Sequence, residues 1–487
     1  MVTLDELRAL LPAAARARVD GDGSCPVPSI THDSRAVRPG GMFACLRGQL
    51  DDGHGYAADA VRAGAASLLV DHPLELGAVE AGAAPVGQLV VADARLALGA
   101  VAAAVYGDPS SALRVVGVTG TNGKTTTCAM LASILRAAGD PTGVIGTLSG
   151  VHTTPEAPEL QAQLAAMHAA GDLSVVMEVS SHALAFHRVD GTRFDAAVFT
   201  NLGRDHLDLH GTQAEYFRAK ASLFEPGRSI VGVVNVDDVH GRLLHDAAPI
   251  EIVPFSRDDA ADVTVTAGAL HFTWRRHGTR LDVPLGGGFN VMNALAAATT
   301  AAALGVAVDD IVVGLAALPA VPGRFERVAV PDGTELAIDV VVDFAHTPDG
   351  LEEVIAAAGS VVGERGRVIV VFGAGGDRDR EKRPAMGAVA ARLADIAVIT
   401  SDNPRSEEPQ AIIDAVVAGI PEADRGRVEV VVDRAEAIRL AIALAERGDM
   451  VVIAGKGHET TQAIGDRVIP FDDREVARTV LRGRLVK

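Results

Sequence analysis

The chain has 487 residues, of which 48% are hydrophobic and 22% charged, and its formal net charge is −19. A chain of this length exceeds one hydrophobic core, so we expect about three domains of about 150 residues each. The acidic balance argues against binding to DNA or RNA, because such proteins carry a basic surface.

The first 108 residues are predicted to form a small α/β domain. Residues 30–35 and 41–48 are typical of strands, and residues 56–64 and 94–106 have helical periodicity. A turn-rich segment at 107–111 is the best candidate for the domain boundary. The acidic N-terminus lacks the basic start of a signal peptide, and three unpaired cysteines give no disulfide framework, so we expect a cytoplasmic protein.

A glycine-rich turn follows the apolar run at residues 115–118 and precedes a helical pattern. Glycines expose backbone N–H groups, the helix N-terminus adds its dipole, Lys124 offers positive charge, and the Thr125 hydroxyl can bind Mg²⁺. This arrangement predicts a phosphate-binding loop for ATP. The glycine spacing departs from the usual pattern, because position 118 is Val and the nearest glycines are Gly117 and Gly120.

Apolar runs alternate with helical patterns over residues 109–325, as in a doubly wound nucleotide-binding domain. Two runs end in acid and histidine, the first with Glu178 and His182 and the second with Asp205 and His206, and such groups suit a divalent metal beside a triphosphate. The alternative is that Asp205 and His206 cap the next helix. Lys220 lies on the apolar side of its predicted helix, and its position alone suggests a surface lysine with a buried stem.

Residues 289–308 carry no charge over twenty positions. The run is long enough to be tested as a membrane span. Because it contains Asn290, Asn293, two threonines and a glycine among many alanines, a buried helix is the better prediction.

Four apolar runs in residues 326–487 each end in a polar loop, and helical patterns separate them. They predict a second open α/β sheet with a crevice at the carboxyl ends of its strands. Positive charge in the loops comes from Arg378, Arg405 and Lys456, and negative charge from Asp402 and Glu459. Both signs together suit a zwitterion better than a simple anion.

Six of these stretches, in this order, resemble the Mur ligase family across essentially the whole chain: residues 120–126, 153–158, 177–184, 343–348, 402–405 and 455–459. The resemblance implies an α/β protein of three domains: a UDP-sugar-binding domain at 1–108, a central P-loop ATP-binding domain at 109–325, and a Rossmann-like amino-acid-binding domain at 326–487. It also implies an ATP- and Mg²⁺-dependent ligase that adds diaminopimelate, the meso isomer by expectation, to UDP-N-acetylmuramoyl-L-alanyl-D-glutamate. We expect a monomer without nucleic-acid partners or membrane insertion.

The resemblance implies a role for each matching residue. Catalytic groups are Lys124, Glu178, His206 and Lys220. Metal ligands are Thr125, Glu178, His206 and Lys220 as a carbamate. Nucleotide contacts are Gly120, Thr121, Asn122, Gly123, Lys124, Thr125, Thr126, Asn290, Asn293, Arg324 and Asp343. Contacts to the UDP-muramoyl dipeptide are Ser34, Gly48, Gln49, Thr153, Thr154, Ser180 and Arg188. Contacts to the incoming amino acid are Arg378, Asp402, Asn403, Pro404, Arg405, Gly455 and Glu459.

Arg405 favours diaminopimelate, because an arginine after Asp-Asn-Pro is the family's partner for the distal carboxylate. Phe186 departs from the family pattern, where some members have Gln. The alternatives are addition of L-lysine or LL-diaminopimelate, a ligase like folylpolyglutamate synthase, and a regulatory ATP-binding protein without catalysis. The ligase interpretation also predicts one enclosed space for Lys124 and Arg405.

Overall fold

The computed structural model describes residues 1–48, 51–76, 86–150, 152–203, 205, 207–330 and 337–485. Its N-terminal unit contains a five-stranded sheet flanked by the helices Leu4–Leu10, Ala57–Arg62 and Ala94–Val105. Across this sheet the strands are Arg18–Asp20, Gly87–Val90, Ser67–Val70, Met42–Ala44 and Ile30–Thr31. Only Arg18–Asp20 pairs antiparallel within the described sheet.

The first predicted strand is shorter than its pattern suggested. It ends at Thr31, because the Asp33 carboxylate accepts a hydrogen bond from the Arg35 backbone N–H at 2.9 Å and caps a 3₁₀ turn, Ser34–Ala36. Short polar side chains that bond to the local backbone stop a strand in this way.

The central unit is built on a six-stranded sheet whose strands all run parallel. Across the sheet they are Glu251–Phe255, Ser229–Asn235, Phe194–Phe199, Arg114–Thr119, Ser174–Glu178 and Thr142–Ile145. Its helices are Lys124–Ala137, Ala157–Ala169, Ser181–Ala185, Leu207–His210, Gln213–Ala221, Val239–Ala247, Asn290–Ala303 and Val308–Ala316. An antiparallel sheet, Ala260–Val265, Leu270–Trp274 and Thr279–Val283, packs against the core that includes Val116, Leu131 and Leu295.

The uncharged run at 289–308 is mainly a buried helix, Asn290–Ala303, as predicted. Its alanines pack tightly against the helix Lys124–Ala137 in the central core. Within the described ranges, no helix has the length and apolar character needed to cross a membrane.

The C-terminal unit has a second six-stranded sheet with cores on both faces. Across it the strands are Glu326–Arg327, Asp339–Asp343, Met450–Ala454, Val368–Phe372, Ile396–Ile399 and Val428–Val430, the first antiparallel to its neighbour. The helices are Pro348–Val362, Lys382–Leu393, Pro409–Val417, Arg434–Leu444 and Asp473–Leu485, and a hairpin joins Thr461–Ile464 to Arg467–Pro470. The predicted polar loops follow the carboxyl ends of the parallel strands.

Candidate active site

A cavity of about 310 Å³ lies between the central and C-terminal units. Asp205 lines it, as do residues 344–347 and Glu353. It brings together many residues for which the sequence predicted a role: Thr121, Asn122, Gly123, Lys124, Thr125, Thr126, Thr153, Glu178, Ser180, Asn293, Arg324 and Asp343. An adjoining cavity of about 180 Å³ is lined by the apolar side chains of Phe255, Phe289 and Met292 and by polar residues that include Asn201 and Asn235.

The glycine-rich turn enters the helix Lys124–Ala137 at the edge of this cavity. Gly123 precedes the helix with φ 87° and offers no side-chain cap, so the N–H groups of the first turn are left for an anion. Lys124 Nζ donates to the carbonyls of Gly120 and Thr121, both at 2.8 Å. Burial lowers the pKa of Lys124. The turn therefore offers backbone donors and a lysine to a phosphate chain.

Gly117 and Gly120 explain the unusual glycine spacing. Gly117 lies in the strand, where a Cβ would come within 2.9 Å of the Phe194 ring. Gly120 has φ 148°, and a Cβ there would lie 1.9 Å from Thr200 Oγ1. The first glycine thus serves strand packing, and the second allows the close approach of the turn.

Replacement of Gly123 by alanine is expected to weaken ATP binding at least about tenfold, because the new Cβ would lie 2.3 Å from Asn293 Oδ1 in the cavity wall. Left-handed backbone costs a non-glycine residue about 1–3 kcal/mol by itself. Gly139→Ala is the matched control, since it has φ 82° at the other end of the same helix with no atom within 4 Å of the Cβ. ATP titration of both variants checks the prediction, and equal affinities would contradict it.

Glu178 ends the strand Ser174–Glu178 and is 2% exposed. Its carboxylate accepts hydrogen bonds from the Thr147 N–H at 2.8 Å and from Thr125 Oγ1 at 3.0 Å. Hydroxyl and carboxylate oxygens are the ligands that Mg²⁺ prefers. The pair Thr125 and Glu178 therefore fits a magnesium ion, whereas His206 and the neighbouring Arg204 lie outside the described residues.

Lys220 is not the surface residue that its position suggested. It is 1% exposed, and its Nζ donates to the Gly120 carbonyl at 2.8 Å, on which Lys124 also converges. The ammonium lies 4.6 Å from the centre of the Tyr216 ring. Burial lowers the pKa of Lys220 well below its usual value, and the charge of Lys124 lowers it further.

Arg324 connects the linker between the units to the phosphate loop. Its Nη2 donates to Thr125 Oγ1 at 3.0 Å, and its guanidinium stacks 4.7 Å from the centre of the Phe344 ring. Burial raises the pKa of Asp343, whose carboxylate accepts from the backbone N–H groups of Phe325 and Ala345 at 2.7 and 2.8 Å. These contacts align the linker with the cavity.

Asn290 is placed differently from Asn293. It is fully buried, does not line either cavity, and its Nδ2 donates to the Gly286 carbonyl at 2.6 Å. Its Oδ1 accepts from Asn293 Nδ2 at 2.8 Å. Asn290 therefore orients Asn293, which faces the cavity.

The residues predicted to bind the muramoyl peptide form one network beside Glu178. Thr154 Oγ1 donates to the Glu178 carbonyl at 2.9 Å and accepts from the Ser180 N–H at 3.0 Å. Thr153 shares a hydrogen bond of 3.0 Å with Thr147. Arg188 Nη1 donates to the Thr154 carbonyl at 3.2 Å.

Phe186 lies beside a cluster of charges. The guanidinium groups of Arg95 and Arg188 are 5.8 and 6.0 Å from the centre of its ring, and both arginines pair with Glu156. The aromatic ring thus takes part in cation–π contacts that an amide would not make.

The uridine-end residues are only partly described. Ser34 is half-buried in its 3₁₀ turn, and the exposed Gly48 donates from its N–H to the Asp51 carbonyl at 2.8 Å. Gln49 lies outside the described residues. Both described positions are remote in sequence from the phosphate loop and lie in segments that follow strands of the N-terminal sheet.

The loops of the C-terminal unit bring Asn403 and Glu459 together with Lys456. Lys456 is fully buried, and its Nζ contacts Glu459 Oε2 at 2.8 Å and Asn403 Oδ1 at 3.1 Å. Lys456, which the sequence analysis offered to a carboxylate, thus pairs with the carboxylate of Glu459 within the crevice. Burial opposes ionisation of Glu459, but the hydrogen bond from Lys456 keeps the pKa of this carboxyl below its usual value.

Arg405 is held by the glycine loop that follows the strand Val368–Phe372. Its φ is 51°, its Nη1 donates to the Gly376 carbonyl at 2.7 Å, and its N–H donates to the Ala463 carbonyl at 3.0 Å. Arg378 is exposed nearby. Close packing fixes this crevice, since a Cβ at Gly376 would lie 1.8 Å from the Pro404 carbonyl oxygen and one at Gly455 would lie 2.6 Å from Asp402 Oδ2.

Arg405 does not line the cavity that contains Lys124. The prediction of one enclosed space for both residues is therefore not met in this conformation. Lys382 lies between the two regions. Burial lowers its pKa, and the charges of Asp205 and Asp402 partly oppose that shift. No local sequence pattern indicated a role for this residue.

Arg434 and Asp473 support the crevice from beneath, and both side chains are fully buried. Arg434 donates to both carboxylate oxygens of Asp473 at 2.7 and 2.8 Å and to the Ala454 carbonyl at 2.9 Å. The Ala454 carbonyl directly precedes Gly455. The only sequence signal was two charged residues at helix starts, which is typical of a surface.

Replacement of Asp473 by asparagine is expected to destabilise the protein by about 3–5 kcal/mol, because it leaves the buried Arg434 cation without its counter-charge. Chemical denaturation followed by circular dichroism measures the change. The exposed pair Arg392 and Glu352, 3.0 Å apart, provides the control Glu352→Gln with a loss of about 0–1 kcal/mol. Equal losses in the two variants would contradict the role of the buried pair.

Three family models cover most of the chain. They are described as "Mur ligase family, catalytic domain", "Mur ligase middle domain" and "Mur ligase, glutamate ligase domain", and they match residues 26–106, 118–301 and 323–457. They follow one another in the order of the three sheets.

A relative from Streptomyces coelicolor, named UDP-N-acetylmuramoyl-L-alanyl-D-glutamate--2,6-diaminopimelate ligase, is 45% identical over 95% of this chain and 94% of its own. A solved structure with the same name has 31% identity and a TM-score of 0.67, covering 99% of both chains. The MurF ligase of Thermotoga maritima in complex with ADP shares the fold at 19% identity, with a TM-score of 0.64 over 94% of this chain and 98% of that one. The chain belongs to the Mur ligase family of ATP-dependent amide-forming ligases.

Proposed function

We propose that this protein joins 2,6-diaminopimelate to UDP-N-acetylmuramoyl-L-alanyl-D-glutamate and converts ATP to ADP and phosphate. The observation that carries the proposal is the nearly end-to-end identity of 45% with a relative named for this reaction. We further propose domains at 1–108, 109–325 and 326–487, with monomeric function in the cytoplasm. Assembly of a cell-wall precursor is the process that this substrate implies.

An amide does not form spontaneously from a carboxylate in water, so the oxygen must first become a leaving group. In the proposed reaction the γ-carboxylate of the D-glutamate attacks the γ-phosphorus of ATP, which forms an acyl phosphate and releases ADP. The neutral amine of diaminopimelate then attacks the acyl carbon. The tetrahedral intermediate expels phosphate, and the amine loses a proton.

Two anions approach each other in the first step, so the cavity must compensate charge. Lys124 and the N-terminus of its helix are assigned to the phosphates, and Arg324, Asn293 and Asp343 to the remainder of the nucleotide. The adjoining cavity combines Phe255, Phe289 and Met292 with several asparagines, and a lining of apolar and hydrogen-bonding groups suits a nucleobase.

We assign Thr125 and Glu178 to Mg²⁺, because their oxygens face the cavity within hydrogen-bond distance of each other. The ion supplies charge neutralisation at the phosphates. His206 and Lys220 remain proposed ligands, the lysine as a carbamate. Burial lowers the pKa of Lys220, which favours the neutral amine, the form that adds to CO₂.

Thr153, Thr154, Ser180 and Arg188 are assigned to the muramoyl dipeptide, since their network adjoins Glu178. Ser34, Gly48 and Gln49 are assigned to its uridine end. Arg378, Asp402, Asn403, Pro404, Arg405, Gly455 and Glu459 are assigned to the incoming amino acid. The acidic groups among them suit an ammonium, and Arg405 suits the distal carboxylate.

Phosphate release by the purified protein tests the proposal. The assay contains ATP, Mg²⁺ and the UDP-muramoyl dipeptide, with meso-diaminopimelate, LL-diaminopimelate, L-lysine or L-glutamate added in turn. We expect release with meso-diaminopimelate. Release only with L-lysine or LL-diaminopimelate would change the assigned amino acid. In a parallel assay a folate replaces the UDP-muramoyl dipeptide, and release there with L-glutamate would favour a folylpolyglutamate synthase-like ligase. No release in either assay would indicate a regulatory ATP-binding protein.

A further inference from the structure

Two histidines and an aspartate form a compact cluster in the N-terminal unit, apart from the cavity described above. Nitrogen and oxygen atoms of His54, Asp71 and His72 lie within 4.8 Å of one another. The two imidazole rings stack with their centres 4.6 Å apart. Asp71 and His72 directly follow the strand Ser67–Val70, at the sheet edge where parallel strands present binding groups.

One ring nitrogen of His54 faces this cluster and lacks a hydrogen-bond partner among the described residues. Its side chain is 7% exposed, and its Nδ1 lies 2.5 Å from Asp52 Oδ1. The opposite nitrogen, Nε2, is buried and makes no hydrogen bond with any residue that the structure describes, although Asp71 Oδ1 is 3.2 Å away. Buried polar side-chain atoms nearly always have a partner, so this nitrogen is a candidate to bind a ligand.

The contact between Asp52 and His54 resembles the support that metal-binding histidines receive in proteins. A carboxylate that accepts the proton of one ring nitrogen fixes the tautomer and leaves the lone pair of the other nitrogen for a metal. In this tautomer Nε2 cannot donate to Asp71. The orientation therefore favours an electron-pair acceptor in the space between Nε2 and Asp71.

The charges around Asp71 fit the same interpretation. Arg47 Nε lies 3.0 Å from Asp71 Oδ2 and keeps that oxygen occupied. The other oxygen, Oδ1, faces both imidazoles, and His72 Nδ1 lies 2.5 Å from it. Two imidazoles and one carboxylate oxygen form a ligand set typical of zinc-like ions.

We propose that His54, Asp71 and His72 bind a divalent transition metal of the Zn²⁺ class. The side chain of His72 is 51% exposed, so the site opens to solvent and leaves a coordination position for water. The ion would join the residue pair Asp52 and His54 to the end of the strand Ser67–Val70. This site is independent of the ligase reaction proposed above and of its Mg²⁺.

Titration of the full-length protein with Zn²⁺ alone, in excess Mg²⁺, tests the proposal. We expect one Zn²⁺ per chain, and dissociation constants that rise at least about tenfold in His54→Gln and in His72→Gln. His271→Gln is the matched control, because His271 lies 2.5 Å from Asp282 in an imidazole–carboxylate pair without a second histidine. Its affinity should equal that of the unmodified protein.

Two further readouts distinguish binding from a folding defect. Excess Zn²⁺ should raise the melting temperature of the unmodified protein and of His271→Gln but not of His72→Gln, whose exposed side chain is not needed for the core. Crystals soaked in Zn²⁺ should show anomalous density between the three side chains. Absence of Zn²⁺ binding by the unmodified protein, or unchanged affinity in both cluster variants, would overturn the proposal.

Discussion

Replacement of Arg405 by alanine is expected to lower kcat/KM for diaminopimelate about 100-fold or more, while ADP formation on the UDP-muramoyl dipeptide alone survives. The guanidinium is already positioned, because φ 51° and the bond to the Gly376 carbonyl fix its direction without substrate. Loss of one partner from a desolvated charge pair costs about 2–5 kcal/mol, which gives this range. A strained backbone at a non-glycine residue is also typical of binding sites.

The two half-reactions separate this effect from misfolding. ADP release without an acceptor reports the acyl phosphate step, and phosphate release with diaminopimelate reports the complete reaction. Arg405→Lys should recover little, because lysine cannot form the bidentate contact of a guanidinium. Arg392→Ala, on an exposed helix face, should behave as the unmodified enzyme. Unchanged diaminopimelate turnover in Arg405→Ala would remove the substrate assignment.

The sequence predicted the central features of the fold because parallel strands buried on both faces appear as continuous apolar runs. The strand Val368–Phe372 has the predicted bounds, and the helix after the phosphate loop begins at Lys124. Such elements depend on local pattern. The strand Ile30–Thr31, by contrast, is shorter than predicted, because the Asp33 carboxylate caps the next turn and ends the strand after two residues.

Long-range charge contacts were the part that local patterns could not reveal. Lys456 and Glu459 are only three positions apart, but Asn403, which contacts both, lies more than fifty positions away in the sequence. The pair of Arg434 and Asp473 likewise joins the starts of two helices. A charged residue at a helix start usually faces water, so the sequence gives no signal that such a pair is buried.

The burial of Lys220 is another feature that local sequence patterns did not reveal, and it has the largest consequence for function. Its neighbours in sequence suggested a solvated lysine, but the packing of its helix beneath the phosphate loop buries it against the Gly120 carbonyl. Because burial lowers its pKa well below 10.5, the folded protein binds fewer protons than the unfolded chain between the lowered pKa and 10.5. Stability from this group therefore rises with pH through that window.

Replacement of Lys220 by methionine is expected to lower ligase activity about 100-fold or more without loss of stability. Methionine fills a similar volume and removes a group that is costly to bury in its charged form, so the free energy of unfolding should stay equal or increase, and its rise with pH should diminish. Arg218→Met, on the exposed side of the same helix, is the control. Chemical denaturation at several pH values measures the stability of both variants.

The proposed carbamate gives this variant a specific chemical test. The neutral amine attacks CO₂, a C–N bond forms, and the nitrogen releases one proton, so the neutral side chain becomes an anionic carbamate beside the phosphate loop. The unmodified protein should lose activity in CO₂-depleted buffer, regain it with bicarbonate, and show a ¹³C carbamate signal that Lys220→Met lacks. Activity independent of CO₂ together with an active Lys220→Met variant would show that Lys220 only supports the Gly120 carbonyl and is not a metal ligand.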